Sequence, residues 1–424
     1  MLKNHRDTFA DNRMPRTLNR ANVLSIIIER GPISRVGIAR LSGLNQSTVS
    51  RIVSRLLEEG IVFEDRKGDS ALGRKPINVK LNEKSRVIGA IVVNPWTTDI
   101  AVCNLSGQSL NTKRVVTIAE DSRNFLAACT SALDAMIRAC DIPLAGVSVT
   151  VPGMVDSRKG IICQDPYLKW MNVDVRRIVR EKIKCPVFVE NDVRAGTLAE
   201  ICFAEEAQNL SNFVFIMVDV GIWAGLAVNK SVYHGHSCLD GQIGANLVMK
   251  KDQGKTAVKM EALDNLASET RIVKHYYELL KSLAPENIDI EIRRVIWRAM
   301  NGEGKAVHVL KEAAGYLGAG LAGIDNLLNP DRLIISGKIT RVWDLIFPEI
   351  ITQMEKLSAH QTTKLRQRVI PSTLVWPSYE GASALVLRHL LGGYQIVHRQ
   401  PVVKDWQTYI WDSWEKYEYE ISNI

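Results

Sequence analysis

The stretch ISRVGIARLSGLNQSTVSRIVSRLLEEG, residues 33–60, predicts two short helices joined by a tight turn. Ser34 is a residue type that caps helix N-termini, and the dipeptide Ser42-Gly43 is typical of turns. In the second half, apolar residues recur with the spacing of one helix face, at Val49, Ile52, Val53, Leu56 and Leu57. Gly60 then follows at a position suited to ending the helix. The pattern therefore predicts a helix-turn-helix.

The flanking segments extend this motif on both sides. LNRANVLSIIIERG, residues 18–31, places four apolar residues on one helical stripe, at Val23, Leu24, Ile27 and Ile28. IVFEDRKGDSALGRKPINVKL, residues 61–81, predicts two short strands around a loop rich in Lys and Arg. Three helices followed by such a wing indicate a winged helix-turn-helix domain, which we place at residues 1–82.

The solvent face expected for the second helix of the motif is polar and basic, and its acids lie at the far end, at Glu58 and Glu59. Short hydroxyl and amide side chains at a helix start can reach base edges or phosphates, and arginines can reach either. A wing can contact the DNA backbone or the minor groove. The candidate contacts to double-stranded DNA are therefore Arg35, Gln46, Ser47, Thr48, Ser50, Arg51, Arg55, Arg74 and Lys75. The alternative is a solvated amphipathic helix in a small bundle.

Positive charge is concentrated in this first segment. Residues 1–80 contain fifteen Lys and Arg against eight Asp and Glu, whereas the net charge of the whole chain is +8. The remaining 344 residues thus carry a net charge of only +1. A basic head on a near-neutral body favours a polyanionic partner for the head.

From about Ser85 the sequence alternates strand and helix patterns, which indicates an α/β body. LAGVSVTVPGMVDSRKGII, residues 144–162, predicts a strand, a Pro-Gly turn and a hairpin. CPVFVENDVRAGTLAE, residues 185–200, runs from a buried strand through a polar corner into a helix. A body of this length has room for two lobes, and a cleft between lobes is a common site for a small ligand.

Composition argues against several classes of protein. Hydrophobic residues make up 46% of the chain, which is too many for a disordered protein. No apolar run reaches membrane-spanning length, and the N-terminal residues lack the apolar core of a signal peptide. The seven cysteines form no CxC or CxxC pair, so we expect reduced thiols. These features predict a cytoplasmic protein with no membrane partner.

Five motifs of the body carry a family resemblance: VPGMVD (151–156), PVFVENDVRAGTLAE (186–200), GIWAGLAVN (221–229), GQIGAN (241–246) and NPDRLIISG (329–337). In this order and spacing, behind the basic head, they resemble the ROK proteins, a family of repressors, open reading frames and sugar kinases. The resemblance implies a two-lobed actin-like ATPase fold for the body. It also implies repression of carbohydrate-utilisation genes under the control of a sugar, by a homodimer or a higher homo-oligomer.

On this resemblance the two lobes of the body are expected at residues 83–195 and 196–395. Residues 396–424 mix Trp and Tyr with acids and match nothing in the family pattern. No role is predicted for this tail.

Two turns of the family's nucleotide site are altered in this chain. Val92 stands where family kinases carry an Asp, and Asn94-Pro95 replaces paired glycines. Valine cannot coordinate Mg²⁺, and proline has no N–H for a phosphate. In VDVGIWAG, residues 218–225, Trp223 replaces a glycine and Asp219 adds a negative charge. An indole in that turn would fill the volume that a phosphate needs.

A third part of the nucleotide site is altered on the adenine side. The family's Gly-Gly pair there reads Ser336-Gly337 and is followed by Lys338. With three independent parts changed, we expect no kinase activity, no catalytic residue and no cofactor.

The sugar side of the same cleft retains part of the family pattern. Asp192 stands at the position of the family's general base, where a carboxylate can accept a hydrogen bond from a sugar hydroxyl without transferring a proton. Asn191 can donate and accept, which suits a polyol, although Asn and Asp are also favoured as helix caps at such a position. Gln242 replaces a family glutamate, and Tyr167 stands where many members have a sugar-contacting Asn. The candidate sugar contacts are these four residues.

The family's zinc ligands are missing. Ala245 replaces a histidine that binds both sugar and zinc, and residues 250–268 contain no cysteine. Without thiolates or that imidazole, we expect no metal site.

Three functions remain open at this point. The first is a repressor whose body senses a sugar or a sugar derivative. The second is a DNA-binding protein whose body is only an oligomerisation scaffold, and the third is a sugar kinase with a DNA-binding head. A repressor of the first kind is expected to bind a palindromic operator as a dimer, because a two-fold protein reads two half-sites.

Overall fold

The computed structural model describes residues 13–65, 77–207, 210–236, 238–251, 258–358, 364–374 and 377–390. The predictions for Arg74, Lys75 and the tail at 396–424 lie outside these residues.

The head is built from three helices and a small sheet. The helices are α1 (Arg13–Arg30), α2 (Arg35–Ser42) and α3 (Gln46–Glu58), and the strands are β1 (Ile33–Ser34), β2 (Val62–Asp65) and β3 (Asn78–Leu81). The strands pair antiparallel in the order β1-β3-β2. The winged helix-turn-helix predicted from the sequence is thereby confirmed.

Local chemistry fixes the ends of the head helices. The Ser34 hydroxyl accepts a hydrogen bond from the Gly37 amide at 3.1 Å and caps α2, as predicted. Gly43 follows α2 with a φ of 69°, a left-handed conformation that glycine adopts without strain. The apolar face of α3 is fully buried at Val49, Val53 and Leu56. This packing leaves the opposite face of α3 to solvent.

The first lobe of the body contains a five-stranded sheet. Its strands are β4 (Val87–Val93), β5 (Thr97–Asn104), β6 (Ser109–Val116), β7 (Leu144–Val151) and β11 (Val187–Asn191), in the order β11-β7-β4-β5-β6. The other elements of this lobe are α4 (Ser122–Ala139), β8 (Met154–Asp156), β9 (Ile161–Gln164), β10 (Met171–Asp174) and α5 (Val175–Lys182). Strands β8, β9 and β10 form a second, small sheet.

The second lobe contains another five-stranded sheet, reached through α6 (Asp192–Phe203). Its strands are β12 (Phe213–Val218), β13 (Ile222–Val228), β14 (Ser231–Val232), β17 (Arg332–Ser336) and β18 (Val369–Pro371), in the order β14-β13-β12-β17-β18. A two-stranded hairpin consists of β15 (Leu247–Lys251) and β16 (Val258–Ala262). The helices are α7 (Asp264–Ala267), α8 (Glu269–Leu279), α9 (Ile288–Met300), α10 (Gly304–Leu328), α11 (Trp343–Leu357), α12 (Leu365–Arg368) and α13 (Pro377–Leu390).

The two large sheets share one topology. In each, three antiparallel strands in a meander are extended by two parallel strands. The repetition confirms the two-lobed body that the family resemblance implies.

Three hydrophobic clusters hold the chain together. One lies inside each lobe, and the third joins the core of the head to α6, α13 and the adjoining faces of both large sheets. Helix α13 packs on α6 and on β4 and β7, so the last described helix returns to the first lobe. A Cβ on Gly381 would lie 2.4 Å from the Ala195 carbonyl oxygen, which shows how closely α13 approaches α6.

The expected lobe boundary at residues 195 and 196 falls within α6. Among the described residues, no helix combines the length and the apolar character needed to span a bilayer.

Candidate functional site

The candidate DNA contacts in α3 lie on the face opposite the core. Gln46, Ser47, Arg51 and Arg55 are exposed, whereas Thr48 and Ser50 are half-buried. Val49, Val53 and Leu56, on the other face, have no exposed surface. The structure therefore presents a polar and basic helix face to solvent at the N-terminal part of α3.

Asn45 organises the start of this helix. Its side-chain oxygen accepts hydrogen bonds from the Thr48 amide at 2.8 Å and from the Ser47 hydroxyl at 2.9 Å. The sequence prediction did not include Asn45 in the site. Its residue type, directly before the helix, is the signal that could have identified it as the cap.

Two of the candidate arginines are paired with acids inside the head. Arg35 Nη2 lies 2.9 Å from Glu64 Oε1 on the wing strand β2. Arg55 Nε lies 3.7 Å from Glu59 Oε1. Arg51 forms no ion pair with any residue that the structure describes, so its guanidinium is available to a ligand at the exposed helix face.

The candidate ligand site of the body begins where β12 and β17 end side by side. The two strands are parallel, with Met217 opposite Ser336. A Cβ on Gly337, whose φ is 120°, would lie 2.0 Å from the Val218 carbonyl oxygen. Glycine at 337 thus allows the two strand ends to approach each other closely.

Lys338 occupies this strand edge with its ammonium group. Nζ lies 3.1 Å from Asp219 Oδ1, 2.9 Å from Glu269 Oε2 and 3.1 Å from Asp289 Oδ1. Burial disfavours the charged amine, but the attraction of these carboxylates outweighs it and raises the pKa of Lys338. Asp219 therefore has a cationic partner within the protein, whereas the sequence alone left it as an isolated anion.

Tyr167 brings the first lobe against the turn between β12 and β13. A Cβ on Gly221 would lie 2.1 Å from the Tyr167 hydroxyl oxygen and 3.5 Å from Asp264 Oδ1. Burial raises the pKa of the Tyr167 phenol, and Trp223, which lies near the same hydroxyl, acts in the opposite direction. The phenol takes up the space beside Gly221.

Asp264 lies on the other side of this turn. Its Oδ1 accepts the Ile222 amide at 2.7 Å, and a Cβ on Gly244 would lie 2.0 Å from the same oxygen. Burial raises the pKa of Asp264. Gln242 is half-buried next to Gly241, whose carbonyl accepts the Ala224 amide at 2.7 Å. The segment with Gln242 thus lies against β13 in the second lobe.

Asn191 and Asp192 stand at the junction of β11 and α6. Asn191 Oδ1 accepts the Val193 and Arg194 amides, each at 3.0 Å, so Asn191 caps α6. Its Nδ2 donates to the Gly153 carbonyl at 3.0 Å and to Asp192 Oδ1 at 2.9 Å. The Asn191 amide is engaged inside the protein, and one of its partners is the Asp192 carboxylate.

The Asp192 carboxylate has an unusual electrostatic environment. Burial, followed by the nearby charges of Asp219 and Asp165, raises its pKa to about 7. Asp165 is fully buried, and its burial raises its pKa to about 6 although its carboxylate accepts the Leu168 and Tyr167 amides. Sequence reasoning did not identify Asp165, which lies in DPYLKW two residues before Tyr167.

A separate network of ion pairs lies next to Asp192 in the chain, around Arg194. Arg194 Nε lies 2.7 Å from Glu190 Oε1, and its Nη1 lies 3.1 Å from Asp240 Oδ1. His234 Nε2 lies 3.1 Å from Glu190 Oε2. Although burial acts the other way, the hydrogen bond from His234 and the charge of Arg194 lower the pKa of Glu190 to about 2. In this network the buried charges compensate one another.

The first turn of the altered nucleotide site forms a plain hairpin between β4 and β5. The Asn94 amide donates to the Thr97 carbonyl at 3.0 Å. Trp96, at the tip of this hairpin, packs against the core of the second lobe. Among the described residues, no group of three or more His, Cys, Asp or Glu side chains is arranged to hold a metal ion.

Comparisons with known proteins agree with this architecture. Residues 17–62 match a family model described as winged helix-turn-helix DNA-binding, and residues 95–389 match the model of the ROK family. The xylose repressor of Caldicellulosiruptor bescii is 27% identical over 372 residues, which cover 83% of this chain and 93% of that protein.

A second curated relative is the DNA-binding transcriptional dual regulator NagC of Escherichia coli K12. It is 27% identical over 389 residues, which cover 90% of this chain and 95% of the relative. Among solved structures, a ROK family transcriptional regulator described as a homolog of the E. coli MLC protein superposes with a TM-score of 0.74. That alignment has 23% identity and covers 89% of this chain and 97% of the other, so it shows a shared fold.

Proposed function

Because this chain belongs to the ROK family, we propose that it is a DNA-binding transcriptional repressor of carbohydrate-utilisation genes whose body senses a sugar. The observation that carries the proposal is the pairing, in one chain, of an exposed polar and basic face on α3 with a group of acids where Tyr167 brings the first lobe against the second. The curated relatives named above are transcriptional regulators, and one of them is named for a sugar.

The DNA-binding half rests on the head. Gln46, Ser47 and Arg51 are exposed at the start of α3, the part of a recognition helix that enters the major groove. The hydrophobic face of the helix is buried, so the polar face is held in a fixed orientation. Arg55, Thr48 and Ser50 extend this surface, and Arg35 supports its edge from α2.

The sensing half rests on the cleft. Asp192 and Tyr167 are proposed to contact the ligand directly, and Gln242 approaches it from the second lobe. We assign Asn191 a positioning role, since its amide is bonded to Gly153 and to Asp192. A ligand that touches both lobes would change their relative position, which is the means by which it would alter DNA binding.

We also propose that the body is not a kinase. The ammonium group of Lys338 is held by three carboxylates at the strand edge where the family resemblance places the nucleotide. The Tyr167 phenol takes up the room beside Gly221. A nucleotide would have to displace both arrangements.

The test uses the purified full chain and the DNA upstream of its own gene. We expect a gel shift with a strong preference for this DNA over random duplex, protection of a palindromic site, and a dimer or a higher oligomer by light scattering. A sugar from a carbohydrate panel should release the complex. Equal affinity for random duplex would refute the regulatory function.

A coupled ATPase assay with the same carbohydrate panel distinguishes a sugar kinase from a repressor without kinase activity. We expect no sugar-dependent turnover. Turnover that disappears in Asp192→Asn would establish a kinase instead. DNA binding that no sugar changes, together with an unchanged melting temperature, would favour the scaffold function.

A further inference from the structure

Three carboxylates of the candidate ligand site have no cationic partner among the described residues. Asp165, Asp192 and Asp264 form no ion pair with any basic side chain in the described part of the chain, and no basic group contributes to the shifts of their pKa values. Two other groups of buried acids in the body have cationic partners: Lys338 binds one group and Arg194 binds the other. Asp165, Asp192 and Asp264 belong to neither group.

Asp165 is the acid whose burial without a cationic partner is most complete. Its side chain has no exposed surface, and its Oδ1 accepts the Tyr167 amide at 2.7 Å and the Leu168 amide at 3.0 Å. Its Oδ2 is buried without a hydrogen-bond partner among the described residues. A buried carboxylate oxygen without a partner costs free energy, and such an atom in a native structure points to a missing donor.

The missing donor would lie between Asp165 and Asp192. A Cβ on Gly153 would lie 2.8 Å from Asp165 Cα, so these two residues are in direct contact. The Gly153 carbonyl accepts the Asn191 amide, which also donates to Asp192. Both residues are therefore linked to Gly153, and the charge of Asp165 contributes to the raised pKa of Asp192.

Tyr167 extends the same region toward the second lobe. Its backbone is bonded to Asp165, and its hydroxyl lies beside Gly221, close to Asp264 Oδ1. A ligand bound there would meet acceptors from both lobes. Negative charge on such a ligand would be repelled by three acids, whereas positive charge would relieve their mutual repulsion.

Resting on the proposed sugar-sensing function, we propose that the ligand of this cleft is an amino sugar whose ammonium group binds between Asp165 and Asp192. The described residues offer no cluster suited to a metal ion, so a metal is not the cation that this arrangement favours. An ammonium group supplies three N–H donors at one point, and the ring hydroxyls can use the phenol of Tyr167 and the amide of Gln242.

The experiment is calorimetry on the full chain at about pH 7 with matched sugars. Glucosamine, galactosamine and mannosamine are each compared with the N-acetyl form, which has no charge, and with the parent hexose. We expect at least one amino sugar to bind at least about tenfold more tightly than both of its neutral counterparts. The same sugar should release the chain from its DNA.

Asparagine variants test the two carboxylates. Asp165→Asn and Asp192→Asn keep an oxygen for the backbone amides but remove the charge, so each should reduce the preference for the amino sugar over its neutral counterparts about tenfold. Asp344→Asn, an exposed site on α11, is the matched control and should change nothing. Melting temperatures verify that each variant folds.

The outcomes separate this inference from the proposed function. A neutral sugar that binds as tightly as its amino form, and releases DNA, would overturn the amino-sugar assignment and leave the sensing repressor intact. The absence of binding by every sugar would overturn both the assignment and the sensing function.

Discussion

The Nζ atom of Lys338 lies 3.1 Å from Asp219 Oδ1, although the two residues are 119 positions apart in the chain. They meet because β12 and β17 are parallel neighbours, with Met217 opposite Ser336, so the residues two positions later share one sheet edge. The same amine also holds Glu269 and Asp289. This contact holds the ends of β12 and β17 together at the altered side of the candidate site.

Lys338→Met should destabilise the chain by about 3 kcal/mol. The substitution leaves Glu269, which is only 1% exposed, without its cation. Urea unfolding followed by fluorescence measures the change. The double variant Lys338→Met, Glu269→Gln should recover part of the loss, because one uncompensated acid has been removed. Equal stability of Lys338→Met and the parent would show that the ion pairs contribute nothing.

Asp192→Asn should raise stability more at pH 8 than at pH 5. The pKa of Asp192 in the folded chain is raised from 3.8 to about 7, so the stability associated with its protonated form is present at low pH and is lost as the pH rises through about 7. Asparagine cannot ionise and escapes this loss. The difference in the free energy of unfolding between the variant and the parent should therefore shift in favour of the variant by on the order of 2 kcal/mol from pH 5 to pH 8. Melting curves at both pH values test this, and a gap that stays constant with pH would contradict it.

Gly221→Ala should destabilise the chain by about 1–3 kcal/mol, because its methyl group would lie 2.1 Å from the Tyr167 hydroxyl oxygen. Tyr167→Phe removes that oxygen and leaves Cζ as the nearest ring atom at 3.5 Å, an ordinary contact distance. The double variant should therefore be more stable than the sum of the single changes predicts. A double-mutant cycle measures this coupling, and strict additivity would show that the two residues are not in contact in solution.

Arg51→Ala should weaken binding to the specific DNA by about 1–3 kcal/mol if the guanidinium reads a base edge. Arg158→Ala is a control, because that arginine is exposed on the first lobe, away from α3. Fluorescence anisotropy at fixed salt gives both affinities. An unchanged affinity for Arg51→Ala would remove this residue from the DNA-binding surface.

Glu64→Gln should strengthen DNA binding modestly, by about 0.5–1 kcal/mol. The change releases Arg35 from the ion pair at 2.9 Å and removes a negative charge from the wing strand. Titrations at two salt concentrations measure the effect, which should shrink as salt rises. Weaker binding by this variant would mean that Glu64 holds Arg35 in its productive position.

The local features of the head could be predicted from sequence because they depend on neighbours in the chain. Ser34 caps α2 through an amide three residues away, and Gly43 ends α2 through its own backbone conformation. The buried face of α3 follows from helical spacing alone. The ion pair between Arg35 and Glu64 could not be foreseen, because it depends on how the wing strand lies against α2.

The candidate ligand site was predicted less completely, because it depends on contacts between segments that are far apart in the chain. The sequence indicated that Trp223 fills a turn that glycine occupies in family kinases, and it identified Tyr167 as a candidate ligand contact. Only the fold brings the Tyr167 phenol from the first lobe against Gly221 in the second. Asp165 was missed because a single acid in a loop carries no pattern. Its importance comes from burial and from a carboxylate oxygen without a partner.

Helix α13 comes from the end of the described chain, yet its buried side chains, among them Ala382, Ala384, Val386 and Leu387, help to complete the packing of the first lobe. A premature stop before Pro377 would therefore not simply shorten the protein. The truncated chain would lack the helix that covers β4 and β7, and apolar surface next to the head would be exposed. A nonsense mutation near the C-terminus would therefore impair folding of the N-terminal part of the chain.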